Sequence, residues 1–316
     1  MLQNGLVVAG FGRHVLVETD GGKRIICHPR GKKNTAVVGD RIRWLATQDE
    51  GTIERLEPRR NLFYRQDEIR TKSFAANLDQ ILILIAAEPE FSESQLSRAL
   101  IAAEAEHIKP IIALNKSDLK VPFAKAWERL QPYKDMGYDV VSLSLKPKNV
   151  SIASDAADFD IEQIEQQTEL LMSLLQGKTT LVLGPSGAGK STLINAVVPN
   201  ATVFTQEISQ ALNSGKHTTT STTWYWVDEA KTTALIDSPG FQEFGLNHIE
   251  AMHLASYMPD FKVHVPNCKF YNCSHLHEPG CGVLGSMKSD SNRRKISLER
   301  YRIYSSLFAE LSEVRY

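Results

Sequence analysis

Over residues 1–70 apolar and polar positions alternate in short runs rich in β-branched residues, LVVAGF, HVLVET, KRIICH, VVGDRIRWL and GTIERLE, separated by turn signals such as Asp20-Gly21-Gly22 and Pro29-Arg30-Gly31. A period of two at this spacing predicts about five half-buried strands. In so short a length they make a small β-barrel, of the OB type or the SH3-like type. From residue 71 the pattern changes. Apolar runs at 80–87, 110–115, 138–143, 179–184 and 233–237 alternate with amphipathic stretches at 92–107, 122–136, 161–175 and 190–198. Strands alternating with helices predict a parallel sheet covered on both faces. Residues 146–160 are polar and turn-rich and read as a connection, and no fixed-period repeat is present. Beyond residue 246 the chain is loop-rich around its cysteines and ends in a helix expected from 293 to about 313. The expected fold class is therefore multidomain α/β, with units at 1–70, 71–246 and 247–316.

The length of 316 residues fits two or three such units. The longest wholly apolar run, residues 81–87, is too short to cross a bilayer, so no membrane partner is expected. The opening MLQNGLVVAGFGRHVLVE lacks a basic n-region and a small-residue cleavage site, which predicts a cytoplasmic protein. A net charge of −1 argues against a uniformly basic nucleic-acid binder. The average hides an asymmetry, because residues 1–70 carry 13 Lys and Arg against 9 Asp and Glu, and residues 262–316 carry 9 against 5. Basic ends around an acidic centre place phosphate contacts at the ends; ordinary solvated surface is the competing reading. In the barrel, Arg30, Lys32 and Lys33 share one loop near Arg41, Arg43 and Trp44, a set that would put basic and stacking groups on RNA unless Trp44 is simply core.

Gly184-Pro185-Ser186-Gly187-Ala188-Gly189-Lys190-Ser191, followed by Thr192, has the G-x-x-x-x-G-K-[ST] pattern between an expected strand and an expected helix. Such a loop lets backbone N–H groups converge on phosphate oxygens, sends Lys190 to the β and γ phosphates and gives Mg²⁺ the Ser191 hydroxyl. Asp237-Ser238-Pro239-Gly240 follows an apolar run, which places Asp237 at a strand end near that Mg²⁺ and lets the Gly240 N–H meet a γ-phosphate. Between them the polar run Gly215-Lys216-His217-Thr218-Thr219-Thr220 offers Thr219 as a further Mg²⁺ ligand. Asn115-Lys116-Ser117-Asp118 follows another strand. A carboxylate at Asp118 accepts two N–H bonds from a guanine edge and finds no such donor pair on adenine, so the tetrapeptide selects GTP over ATP. The order is unusual, since Ras-like GTPases have the phosphate loop first and N-K-x-D last. Here N-K-x-D comes first, as in a circularly permuted domain, and the segment after Gly240 runs straight into the C-terminal unit.

Cys268, Cys273, His275 and Cys281 lie within fourteen residues and suit a tetrahedral structural Zn²⁺, with His277 as the alternative fourth ligand. Cys27 lies far away in sequence and reads as a barrel residue.

Taken together, the barrel, the permuted NKSD, GPSGAGKST and DSPG series, the GKHTTT run and CKFYNCSHLHEPGC resemble the RsgA (YjeQ/EngC) family of circularly permuted GTPases over the whole chain. The resemblance implies a GTPase that acts late in maturation of the small ribosomal (30S) subunit, contacts 16S rRNA, is stimulated by the subunit and carries one zinc ion in a mostly helical C-terminal unit. No dimerisation signal is visible, and a monomer is expected. Where Ras-like proteins carry a water-orienting Gln, this chain has Phe241, which cannot hydrogen-bond. Gln242, His217, His248 or a group of the ribosome must replace it, and family analogy favours His248 as the catalytic residue. The readings from other classes are a nucleotide-sensing RNA-binding module whose hydrolysis is incidental, and a P-loop ATPase or small-molecule kinase.

Overall fold

The computed structural model describes the chain apart from residues 12–13, 32–34, 49, 67–70, 146–160, 200, 202–221, 239–240, 242–243, 289–295 and 314–316, and apart from the side chains of 161–165. Lys32, Lys33, His217, Thr219, Gly240, Gln242 and the expected connection 146–160 lie outside the described residues.

The first five strands are β1 (Gln3–Phe11), β2 (His14–Thr19), β3 (Arg24–Pro29), β4 (Arg41–Ala46) and β5 (Gly51–Leu56). They pair in the order β1-β2-β3-β5-β4, and β4 returns to β1, which closes the barrel. The parallel β3–β5 pair among antiparallel neighbours gives the OB-like connectivity. The interior is packed with Val7, Val15, Val17, Cys27, Ile42, Trp44 and Ile53. Trp44 is only 1% exposed, and its indole N–H donates to the carbonyl of Asn4 at 3.1 Å. It is thus core and is not available to stack on RNA. Two glycines make room for it, because a Cβ at Gly5 or at Gly51 would press on the Trp44 ring.

A hairpin of β6 (Leu62–Gln66) and β7 (Thr71–Ala76) links the barrel to the central sheet and straddles residue 70. The central sheet contains β8 (Gln80–Ala86), β9 (Lys109–Asn115), β10 (Asp139–Ser142), β11 (Thr179–Leu183), β12 (Thr223–Trp226) and β13 (Ala234–Asp237) in the order β10-β9-β8-β11-β13-β12. All are parallel except β12. Every residue of β8 is buried, as expected of the middle strand of a sheet covered on both faces. The helices are α1 (Glu93–Ala105), α2 (Lys120–Arg129), α3 (Gln131–Asp135), α4 (Ile161–Leu175) and α5 (Lys190–Val197). The single helix expected at 122–136 is two, because the chain turns at Leu130, which is fully buried, and Pro132 sits in the first turn of α3. β12 was not visible as a strand in the pattern.

The sheet does not stop at β12, whose Thr223 pairs with Ala9 of β1, so barrel and central sheet are hydrogen-bonded edge to edge. Beside that bridge the Glu18 carboxylate, 6% exposed, accepts from Trp226 Nε1 at 2.9 Å, Lys231 Nζ at 2.6 Å and Arg24 Nε at 3.2 Å. Burial alone would raise its pKa, and these donors hold it below the usual value instead.

The C-terminal unit consists of short helical turns and a helix at Leu298–Ser312 that begins at Ser297, whose hydroxyl accepts from the Arg300 N–H. It starts later than the expected residue 293. The C-terminal unit shares one core with α1, through Leu254, Phe261, Ile303, Tyr304 and Leu307. Among the described residues no helix is long and apolar enough to cross a membrane.

Candidate active site and metal centre

Parallel strands put their C-terminal ends on one edge, where ligands of open α/β sheets bind. β9 ends in Asn115, β10 runs into Leu143 to Leu145, β11 into Gly184 and β13 into Asp237. The register pairs Ala86 with Asn115, Ile83 with Leu183 and Val182 with Asp237, so every sequence-predicted nucleotide residue that is described sits on this edge.

The phosphate loop passes so close to β8 that a Cβ at Gly184 would stand 2.0 Å from the carbonyl of Leu84. Gly189 begins α5 with φ +105°, a conformation L side chains rarely adopt, and a Cβ there would lie 2.4 Å from Asn115 Nδ2. That approach is used, because Asn115 Nδ2 donates to the carbonyl of Ala188 at 2.9 Å and Asn115 Oδ1 accepts from the Leu145 N–H at 3.1 Å. One buried side chain thus ties together the phosphate loop and the two loops on the base side. Lys116, at φ +67°, donates to the carbonyl of Glu88 across the same edge. The Ser117 N–H donates to the carbonyl of Leu143, and Ser144 Oγ donates to Asp118 Oδ1 at 3.4 Å, which orients the carboxylate.

Lys190 Nζ donates to the carbonyls of Gly184 at 2.6 Å and Pro185 at 3.0 Å, so its charge is held inside the curve of the loop. Burial lowers its pKa, and the charge of Asp237 opposes the shift. Asp237 shows the converse: burial raises its pKa, while Lys190 and the Ser238 N–H pull it down. A cation beside a buried carboxylate is the electrostatic setting that polyphosphate and Mg²⁺ require. Pro185 and Thr192 are half-buried, whereas Ser186, Gly187 and Ser191 face solvent on the same rim.

Phe241 is 3% exposed and packs on Phe244, whose ring also meets Phe63 and Phe74 of the hairpin. It is a core residue. The segment after it pairs with β6, the Gln66 N–H donating to the carbonyl of Gly245 and the Asn247 N–H to that of Gln66, both at 3.0 Å. This places the His248 ring 4.4 Å from the Tyr64 ring, with both imidazole nitrogens buried and without a hydrogen-bond partner. Burial pushes its pKa down.

In the C-terminal unit the ligand atoms of Cys268, Cys273, His275 and Cys281 all lie within 4.8 Å of one another. His275 Nδ1 is 3.5 Å from the sulfurs of Cys268 and Cys281, which are 4.0 Å apart. Tetrahedral Zn²⁺ spaces such ligand atoms roughly 3.5 to 3.8 Å apart, so the donor set and its spacing fit the ion. His277 is exposed and is not in the group. The N–H groups of Gly282 and Leu284 donate to the sulfurs of Cys268 and Cys281, as outer partners of thiolate ligands do. Cys27 is buried in the barrel, far from this cluster.

Three features were not found by reading motifs. Arg98 of α1 joins Phe244 to Glu310 of the terminal helix. Arg300, buried in that helix, donates to both oxygens of Asp260 and to Ser97 Oγ. Glu18 fixes the barrel. Each pairs residues far apart in sequence, and no local pattern marks them.

A family model described as RsgA GTPase matches residues 56–247. The chain is 68% identical over 316 residues to the small ribosomal subunit biogenesis GTPase RsgA of Variovorax paradoxus, covering 100% of this chain and 95% of that one. It is 48% identical over 315 residues to the protein of the same name from Paraburkholderia phytofirmans, covering 98% and 94%. Among solved structures it is similar to YjeQ from Thermotoga maritima, with a TM-score of 0.69 at 27% identity and full coverage of both chains. It is also similar to YloQ, a circularly permuted GTPase, with a TM-score of 0.68 at 26% identity, covering 100% of this chain and 98% of that one.

Proposed function

The chain belongs to the RsgA GTPase family and is a GTP hydrolase, and on that premise we propose that it binds the small ribosomal subunit and hydrolyses GTP there, late in the subunit's maturation. The observation that carries the reading is the Asn115 side chain, which binds the phosphate loop and the base-side loops into one nucleotide-shaped edge. In this reading the loop from Gly184 to Lys190 cradles the phosphates, Lys190 neutralises charge at the β and γ groups, and Asp118 reads the guanine edge. Ser191, Asp237 and Thr219 would hold Mg²⁺, which would supply charge neutralisation on the phosphates, and the Gly240 N–H would sense the γ-phosphate.

His248 is the group proposed to orient the attacking water. Supporting this is the state of its ring: two buried nitrogens without partners are costly, and subunit docking that turned the ring outward would relieve the cost. Turnover would then be low in the free protein and stimulated by the subunit. The work divides among residues 1–70, 71–246 and 247–316, with the barrel and the C-terminal unit on 16S rRNA and one Zn²⁺ held by Cys268, Cys273, His275 and Cys281 as a structural staple. The protein acts as a monomer in the cytoplasm.

The test is GTP hydrolysis with and without purified small subunits, with ATP as control. Stimulation specific to GTP supports the reading. Intact GTP binding with no stimulation would leave a nucleotide-sensing RNA-binding module instead, and equal competition by ATP would remove the role of Asp118.

A further inference from the structure

The loop between Cys268 and Cys273 carries the most exposed aromatic surface among the described residues. Tyr271 is 103% exposed and Phe270 41%, and they sit next to each other at the loop's tip. Apolar side chains are scattered singly over many surfaces, but two adjacent rings held out from a fixed loop are less common and mark a contact site. The base of this loop is rigid. Lys269 N–H donates to the carbonyl of Gly280 at 3.0 Å, Cys268 N–H to that of Val265 at 3.0 Å, and Gly282 N–H to Cys268 Sγ at 3.3 Å.

The surroundings say what the rings meet. From residue 261 to residue 277 there is no Asp or Glu, while Lys262 and Lys269 are present and exposed. The next carboxylate, Glu278, is turned inward and accepts from Ser274 Oγ and from the N–H groups of Ser274, Leu276 and His277. Lys269 Nζ lies over the Phe270 ring, 5.6 Å from its centroid. Asn267 and Asn272 flank the tip, both exposed, and supply amide donors and acceptors. Exposed rings beside ammonium groups and amides, in a stretch of sequence without carboxylates, complement a polyanion whose own rings are exposed.

We infer that Phe270 and Tyr271 form a stacking platform for unpaired bases of single-stranded RNA, with Lys269 on the neighbouring phosphate. The platform deepens the ribosomal reading above and rests on it only for the identity of the RNA. Stacking needs the ring and not the phenol oxygen, and it is insensitive to salt, whereas a phosphate contact is salt-dependent.

The experiment compares wild-type protein, Phe270→Ala/Tyr271→Ala, Tyr271→Phe and Lys269→Ala, each shown to hold the same zinc content and to bind GTP equally. Binding is measured to protein-free small-subunit rRNA and to an unstructured oligoribonucleotide at several salt concentrations. The double variant should bind both RNAs about 5-fold or more weakly with an unchanged salt slope. Tyr271→Phe should match wild type, and Lys269→Ala should reduce the slope by roughly one ion. Wild-type RNA affinity in the double variant would overturn the inference. So would loss of binding to the whole subunit with rRNA binding intact, which would assign the loop to a ribosomal protein. The two readings fail separately. Loop-dependent oligoribonucleotide binding without subunit-stimulated turnover would overturn the ribosomal function and leave the platform standing, and stimulated turnover with loop-independent RNA binding would do the reverse.

Discussion

Arg98 of α1 grips Glu310 of the terminal helix with both guanidinium amines, and one of those amines also donates to the carbonyl of Phe244 at 3.2 Å. Phe244 lies seven residues after Asp237, so a single side chain joins the segment that follows the end of β13 to the C-terminal unit. A double-mutant cycle with Arg98→Ala and Glu310→Ala should return a coupling of about 1 kcal/mol, the scale of a part-buried charge-assisted pair. Hydrogen exchange over residues 298–312 should quicken in either variant while GTP affinity holds. Additive effects with unchanged exchange would show that packing alone holds the helix.

Gly189→Ala is expected to damage two loops at once. The new methyl would meet Asn115 Nδ2 at 2.4 Å, and the residue would keep a φ of +105°. Backbone strain of about 1–3 kcal/mol and loss of the Asn115 bond should lower both the melting temperature and GTP affinity. A variant that binds GTP like wild type would show that the Asn115 link is dispensable.

Asp118→Asn should lower GTP affinity about 100-fold or more, because an amide group now meets the guanine donors that the carboxylate accepted. Xanthosine triphosphate, which presents a carbonyl where guanine presents an amine, should gain in return. Competition binding reads both changes, and parallel losses for the two nucleotides would count against base recognition by this residue.

Removing metal should unfold the C-terminal unit locally. Four ligand atoms lie within 4.8 Å of one another, and without a cation to bond them the loops they join lose their staple. Cys281→Ser or chelation should reduce bound zinc from about one ion per chain, by elemental analysis, and speed exchange over the terminal helix, whose Tyr304 hydroxyl donates to the carbonyl of Ser274 in the ligand loop. GTP binding should persist.

The buried His248 predicts a pH dependence. Its folded pKa is depressed by burial, so below about pH 6.5 the unfolded chain takes up a proton that the folded chain resists, and stability falls as pH drops through that value. Thermal melts between pH 7.5 and 5 should show less acid sensitivity in His248→Gln than in wild type. The same slope in both would mean that the ring already titrates freely when folded.

Much of this site was legible because its chemistry is local. A phosphate loop needs glycines at fixed spacing, N-K-x-D needs its strand, and a metal centre needs sulfur within a few residues, so each is written in one stretch of chain. The barrel followed from period-two alternation. What escaped was non-local or ambiguous. Trp44 beside Arg41 and Arg43 reads equally as a stacking surface or as core, and only closure of β4 on β1 decides for core. β12 is four residues long and follows a polar run, too short for a period to show. Arg98, Arg300 and Glu18 each find a partner 40 to 213 residues away, as with Arg300 and Asp260 or Glu18 and Lys231, and nothing in their neighbourhoods announces a buried charge.

Thr223 of β12 bridges Ala9 of β1 at the junction of barrel and central sheet. β12 reads Thr-Trp-Tyr-Trp and lies against β13 on one side, and β1 meets its other side at Thr223. Such an aromatic edge is a template for pairing between molecules. The barrel therefore also serves as a cap against self-association, and a fragment cut after it would be expected to precipitate for reasons unrelated to nucleotide or RNA.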